Sequence, residues 1–195
     1  MTDIKSDLRR HSLARRDLVS PTESHEAAAR IAARALALVE EIVARERLAA
    51  PVVSVYWPIR SELNTRLLIE ALCDKGVTVA LPVMTAVRRP LRFRAFAPGD
   101  NLAKGPFGLS EPSADKPLLD PDIVFAPLAA FDRRGYRLGY GGGIYDATLI
   151  ELRARKRVFA IGLAYACQEA PAIPSEPHDQ RLDYLLTERE AIICR

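Results

Sequence analysis

Residues 127–146 read PLAAFDRRGYRLGYGGGIYD, with Gly139, Gly141, Gly142 and Gly143 crowded together near the end. The apolar run Ile123-Val124-Phe125-Ala126 precedes this stretch, and a helix-like run from Tyr145 to Arg155 follows it. Strand, glycine-rich turn, helix is an order that brings backbone close to phosphate oxygens. Glycine admits positive φ and has no Cβ in the way. The helix start aims free N–H groups and the positive end of its dipole at the anion. Arg137 adds a cation able to grip a phosphate with two hydrogen bonds. Asp146 adds a hard oxygen ligand of the kind Mg²⁺ prefers. Glycines alone more often form a tight turn with a helix cap. No Gly-Lys-Ser/Thr follows, so this is not a P-loop. Ile144 stands where the dinucleotide fingerprint needs its third glycine or alanine.

Outward from this stretch the chain alternates strands with helices. Residues 3–17 read as a helix on which Lys5 and Arg9, four apart, share a face. Ser20-Pro21-Thr22-Glu23 is a helix start with a serine cap, proline at the first position and glutamate at the third. One long helix should run from there to about Glu46. Val52 to Tyr56 reads as a buried strand, Trp57 to Glu62 as a loop, and Thr65 to Lys75 as a helix stopped by Gly76. Val77 to Leu81 is a strand ended by Pro82, and Leu91 to Phe96 is another. Residues 97–121 contain Pro98, Gly99, Gly105, Pro106, Gly108, Pro112, Pro117 and Pro121, and read as a long irregular connection of the kind that is often functional. Val158 to Ala164 is a strand, and Leu182 to Leu186 and Ala191 to Cys194 are short ones. The alternation predicts an α/β fold in three layers, a mostly parallel central sheet flanked by helices. Ligands of such sheets bind beyond the carboxyl ends of the strands. The 57–62 loop and the glycine turn both follow strands, so both should open on the same edge.

The chain has 195 residues, 49% hydrophobic and 27% charged, as expected for one soluble globular domain over 1–195, with N-terminal helices between 3 and 47 packed on the α/β core. A net charge of +3 gives no argument for nucleic acid. Arg9, Arg10, Arg15 and Arg16 are interleaved with Asp3, Asp7 and Asp17, which favours a solvated helix face. Cys73, Cys167 and Cys194 have no metal-binding spacing; Cys73 and Cys167 read as small buried hydrophobes. His11, His25 and His178 fit no shared metal site. Asp132, in Asp-Arg-Arg-Gly, reads as a structural turn carboxylate. Residues 2–17 lack the apolar core of a signal peptide, and no apolar run reaches the ~20 residues of a membrane span. A cytoplasmic protein without a membrane partner is expected.

The pattern Pro127-x-x-x-Phe131-Asp132-x-x-Gly135-x-Arg137-Leu138-Gly139-x-Gly141-x-Gly143-x-Tyr145-Asp146 resembles the signature of the 5-formyltetrahydrofolate cyclo-ligase family, also called 5,10-methenyltetrahydrofolate synthetases. Lys5-x-x-x-Arg9 is similar to that family's N-terminal Lys/Arg pair. Tyr56 with Glu62, followed by Asn64-Thr65, is similar to its folate-contacting loop, and Asp179 to its second metal carboxylate. The resemblance covers nearly the whole chain. It implies a fold like that of the NagB/RpiA/CoA-transferase group and an ATP- and Mg²⁺-dependent ring closure. The formyl oxygen of 5-formyltetrahydrofolate attacks the γ-phosphate, an N5-iminium phosphate forms, and N10 closes the ring as phosphate leaves.

The resemblance further implies that Lys5 and Arg9 reach the nucleotide phosphates, and that Arg137 and the backbone of Leu138, Gly139, Tyr140, Gly141, Gly142, Gly143, Ile144 and Tyr145 cradle them. Arg137 and Lys5 are its catalytic groups. Asp146 and Asp179 hold Mg²⁺. Glu62 meets the pterin edge, Trp57 stacks on the ring or else anchors the core, and Phe107 offers an aromatic to the folate. Phosphoryl transfer needs chiefly positioning and charge neutralisation, so the lack of a serine–histidine or cysteine–histidine constellation agrees with it. The chain departs from the family at Ile144, usually aromatic, at Ala147, often arginine, and at Gly142, sometimes lysine. Two other readings follow: a non-catalytic folate- or nucleotide-binding relative, and a sugar-phosphate isomerase or CoA-transferase type needing no ATP. The partners expected are the two small-molecule substrates, ATP and 5-formyltetrahydrofolate, with the protein a monomer or, alternatively, a dimer.

Overall fold

A computed structural model describes residues 2–105 and 107–194. Pro106 and the side chain of Asp3 lie outside the described residues. The chain runs α1 (Thr2–Asp17), α2 (Pro21–Glu46), β1 (Val52–Ser54), α3 (Arg66–Asp74), β2 (Thr78–Val83), β3 (Arg92–Ala95), β4 (Leu102–Lys104), β5 (Ser110–Pro112), β6 (Ile123–Pro127), β7 (Ala130–Phe131), β8 (Arg137–Leu138), α4 (Ile144–Arg153), β9 (Phe159–Leu163), β10 (Tyr184–Leu186) and β11 (Ala191–Ile193). A 3₁₀ turn, Ala166–Gln168, follows β9.

Seven strands form the central sheet in the order β11-β10-β9-β6-β1-β2-β3. The five from β10 to β2 are parallel to their neighbours, and β3 and β11 close the edges antiparallel. The fold is therefore α/β with a mostly parallel sheet, as expected. The inner strands are buried on both faces, which explains their continuous apolar runs. Ile123, Phe125, Phe159 and Ile161 turn to one face, where Ile31, Ala35, Val39 and Ile42 of α2 and Leu68 and Leu72 of α3 cover them. Val124, Ala126 and Ala160 turn to the other, under Leu149 and Leu152 of α4. Phe125 is fully buried; Phe125→Ala should cost about 3–5 kcal/mol. The α2 start carries the full capping box: Ser20 accepts from the Glu23 N–H, and Glu23 accepts from the Ser20 N–H.

Connections run outward in opposite directions from the middle of the sheet. From β1 the chain passes through α3 to β2 on one side. From β6 it passes through α4 to β9 on the other. The reversal point lies between β1 and β6, and their carboxyl ends lead into the 57–62 loop and the glycine turn. In open α/β sheets this crevice is where ligands bind.

Two sequence expectations are corrected. Strand β2 runs through Pro82 to Val83. The Ala80 carbonyl faces β1 and accepts the Val55 N–H. Two residues on, the Pro82 nitrogen faces the same side, past the end of β1, so no ladder bond is lost there. Residues 97–121 are not wholly irregular: β4 and β5 form a hairpin. It is fastened beyond the carboxyl end of β2 by the buried Glu111, which accepts the Met84 N–H at 2.9 Å. A Cβ on Gly105 would lie 2.3 Å from that carboxylate, so a side chain there would push Glu111 off the Met84 N–H.

Candidate active site

Asp132, fully buried, accepts the N–H groups of Arg134, Tyr136 and Ile173 and anchors the turn before β8. It is the structural carboxylate expected. Strand β8 then carries Arg137, and the glycine turn leads into α4. Gly141 (φ 102°) and Gly143 (φ 62°) take the left-handed conformation that glycine adopts without penalty. Gly143 occupies the cap position of α4, and no side chain caps it. The first helical bond runs from Ala147 N–H to Gly143 O, which leaves the Ile144, Tyr145 and Asp146 N–H groups at the open end of the dipole.

Helix α1 lies across this turn. Arg9 Nε donates to Gly139 O at 2.6 Å, and its Nη2 would be 3.7 Å from a Cβ on Gly141. Lys5 Nζ is 3.1 Å from Asp179 Oδ2 and 3.5 Å from Glu176 Oε1. Arg137, with a side chain 5% exposed, donates to Asp146 Oδ1 at 3.0 Å and to the Gln180 carbonyl. The Gln180 N–H returns to Asp146 Oδ1 at 2.9 Å. Burial pulls the Arg137 pKa down and the facing Asp146 carboxylate pushes it back up. A guanidinium remains charged in such a setting. The cluster thus joins β8, the first turn of α4, the 176–180 segment and the first turns of α1.

The fit of a divalent cation can be judged from its donor set. Among the described residues, no three His, Cys, Asp or Glu side chains converge to hold a metal. Mg²⁺ commonly uses only one or two protein carboxylates and takes its other ligands from water and substrate phosphates. Asp146 and Asp179 supply two carboxylates near the glycine turn, each facing a cation, Arg137 and Lys5.

On the β1 side, Glu62 is buried, and its Oε2 accepts the Ile59 N–H at 3.0 Å. Burial raises its pKa, and the backbone bond and the Arg16 charge offset part of that. Trp57 meets Phe96 edge-to-face at 5.7 Å and is covered by the Arg66 guanidinium at 4.7 Å. These contacts pack the half-buried ring against the α2–α3 core. Phe107 is exposed in the turn of the β4–β5 hairpin. The Gly142 and Ile144 departures are linked: a Cβ on Gly142 would press to 3.2 Å on the Ile144 side chain, which packs against the α4-side core.

Two expectations change. Arg16 is not on a solvated face. It is 2% exposed, donates from Nε to Ser61 Oγ at 3.1 Å and from Nη2 to Tyr140 Oη at 2.9 Å. The signal was available, because 5, 9, 12 and 16 continue one helical stripe and Ser12 on that stripe is also buried. Cys73 and Cys167 are half-buried at the edge of the core, their thiol pKa values raised by burial.

Fold and site together define a class: an α/β protein with an uncapped glycine turn beneath Arg9 at the reversal point of a parallel sheet. Similarity to known proteins narrows that class to one family. The chain belongs to the 5-formyltetrahydrofolate cyclo-ligase family, whose model matches residues 1–188. It is 34% identical over 162 residues to a 5-formyltetrahydrofolate cyclo-ligase of Haemophilus influenzae, covering 80% of this chain and 83% of that one. It is 32% identical over 178 residues to the Escherichia coli K12 protein of the same name, covering 89% and 94%. The NMR structure of Aquifex aeolicus 5,10-methenyltetrahydrofolate synthetase superimposes with a TM-score of 0.76 at 26% identity, covering 98% of this chain and 93% of that one.

Proposed function

We propose that this chain converts 5-formyltetrahydrofolate to 5,10-methenyltetrahydrofolate with ATP as co-substrate. The observation that carries the reading is the uncapped glycine turn under Arg9, opening on the same sheet edge as the buried Glu62 carboxylate. One side suits phosphates. The other suits a pterin edge rich in N–H donors.

In this reading the ATP phosphates lie along the Leu138–Tyr145 backbone, with Arg9, Lys5 and Arg137 around them. The formyl oxygen attacks the γ-phosphorus, forming an O–P bond as the bond to ADP breaks. The resulting N5-iminium phosphate is attacked at carbon by N10, the C–O bond to phosphate breaks, and N10 loses its proton. Charge grows on phosphoryl oxygens in the first step and on departing phosphate in the second. Preorganised cations stabilise both. Asp146 and Asp179 would hold Mg²⁺, which when bound neutralises phosphate charge. Lys5 and Arg137, already paired with those carboxylates, keep them oriented. Glu62 orients the folate so that the formyl oxygen faces the turn.

The test is to mix the purified protein with 5-formyltetrahydrofolate, ATP and Mg²⁺ and follow the near-ultraviolet absorbance of the methenyl product. Absorbance should rise only when all three are present. Binding of both ligands without a rise would instead establish the non-catalytic relative. Product formed without ATP would point to the isomerase or transferase class.

A further inference from the structure

Arg16 is the most deeply buried cation facing this edge, and the mechanism above leaves it without a task. Two of its three nitrogens hold two different elements. Nε holds Ser61 of the 57–62 loop, and Nη2 holds Tyr140 of the glycine turn. Nη1 is buried with no hydrogen-bond partner among the described residues. The Arg16 and Arg60 guanidinium groups lie 5.8 and 5.7 Å from the Tyr140 ring centre. Arg60 has φ 52°, a left-handed conformation unusual for a residue with a Cβ. Glu62, two residues on, is influenced by Arg16, Tyr140 and Arg60 together. One guanidinium therefore clasps the loop on the folate side to the turn on the phosphate side. An unspent buried donor and a neighbour in a strained conformation mark that clasp as a place with polar capacity still to be satisfied.

We propose that Arg16 is a positioning residue that couples the two halves of the site, so that occupancy of one half sets the affinity of the other. The proposal rests on the folate–ATP reading above. A ligand on the glycine turn fixes Tyr140, Tyr140 fixes the guanidinium, and the guanidinium fixes Ser61 and the backbone that presents Glu62. Coupling of this kind is reciprocal.

The test uses probes that cannot react. The dissociation constant of the β,γ-methylene analogue of ATP with Mg²⁺ is measured by calorimetry with and without saturating 5-methyltetrahydrofolate, which has no formyl oxygen. Wild-type protein should bind the analogue about fivefold tighter or more when the folate is present. Tyr140→Phe and Arg16→Lys should each bring that ratio close to one, and the double variant should go no further, as expected for two groups in one interaction. A loss of stability alone would not move the ratio. If Arg16→Lys does not fold, Tyr140→Phe and Ser61→Ala decide. Wild-type coupling retained in these variants, or no coupling in the wild type when both probes bind, would overturn the proposal. Failure of both probes to bind the wild type would overturn the functional reading and the coupling with it.

Discussion

The phosphate side and the folate side of the site handle charge in different ways. Around the glycine turn the carboxylates face cations, Asp146 with Arg137 and Asp179 and Glu176 with Lys5, while Arg9 donates to the Gly139 carbonyl. On the folate side Glu62 is buried against the Ile59 N–H and the Tyr140 side chain, with Arg16 nearby but bonded to Ser61 and Tyr140. Its ionised form is disfavoured by desolvation. The first side is held together by its charges before any ligand arrives. The second keeps a carboxylate whose burial is only partly offset, as a group awaiting N–H donors would be. The difference shows that one cleft can combine a prepaired end and an underpaired end, and that their responses to substitution should differ in sign.

The largest effect should come from the paired side. Arg137→Ala removes a charge stabiliser and should lower kcat by about 10²–10³-fold. It should also cost about 1–3 kcal/mol in denaturant melts, because Asp146 loses its ion-pair partner. The buried pair makes both fall. A variant as stable as wild type would show that the pair does not brace the fold.

Glu62→Gln should do the opposite on the other side. The KM for 5-formyltetrahydrofolate should rise about ten- to a hundredfold, from loss of a charged acceptor, while the thermal midpoint at neutral pH rises. With its pKa raised in the folded state, Glu62 favours folding when protonated, and that contribution is lost as pH rises through the elevated pKa. Wild type should therefore lose stability across that range relative to Glu62→Gln. Equal pH slopes for the two proteins would remove the underpaired end from the comparison.

The smallest effect concerns the turn between them. Gly141→Ala meets nothing closer than 3.7 Å, so only its positive φ resists substitution. A loss of about 1–2 kcal/mol is expected in denaturant melts. A neutral result would show that the turn relaxes.

The sequence revealed most where local chemistry decides structure. The capping box at Ser20 and Glu23 set the start of α2, and β-branched runs marked the buried strands. It failed where tertiary context decides. The β4–β5 hairpin is made of short strands between glycines and prolines, held by the carboxylate of Glu111 reaching to Met84. The pairing of β7 with β8 is only two residues long on each strand. Within the site, Lys5, Arg9, Arg137, Asp146 and Asp179 were legible from spacing and family pattern, and the fold brings them together. Arg16 was hidden by Arg15 and Asp17, whose alternating charges suggested a solvated face. Only its place on the 5-9-12-16 stripe distinguished it. The Trp57 ring was ambiguous because stacking platforms and core anchors share a residue type; Phe96 and Arg66 decide its packing.

The central claim is that ATP cleavage and ring closure are one reaction at this edge. Phosphate release and methenyl absorbance should be measured in parallel on one sample containing 5-formyltetrahydrofolate, ATP and Mg²⁺. The account predicts equal molar amounts at every time point, and neither product when the folate or ATP is omitted. Phosphate released without methenyl product, or methenyl product formed without phosphate, would contradict it.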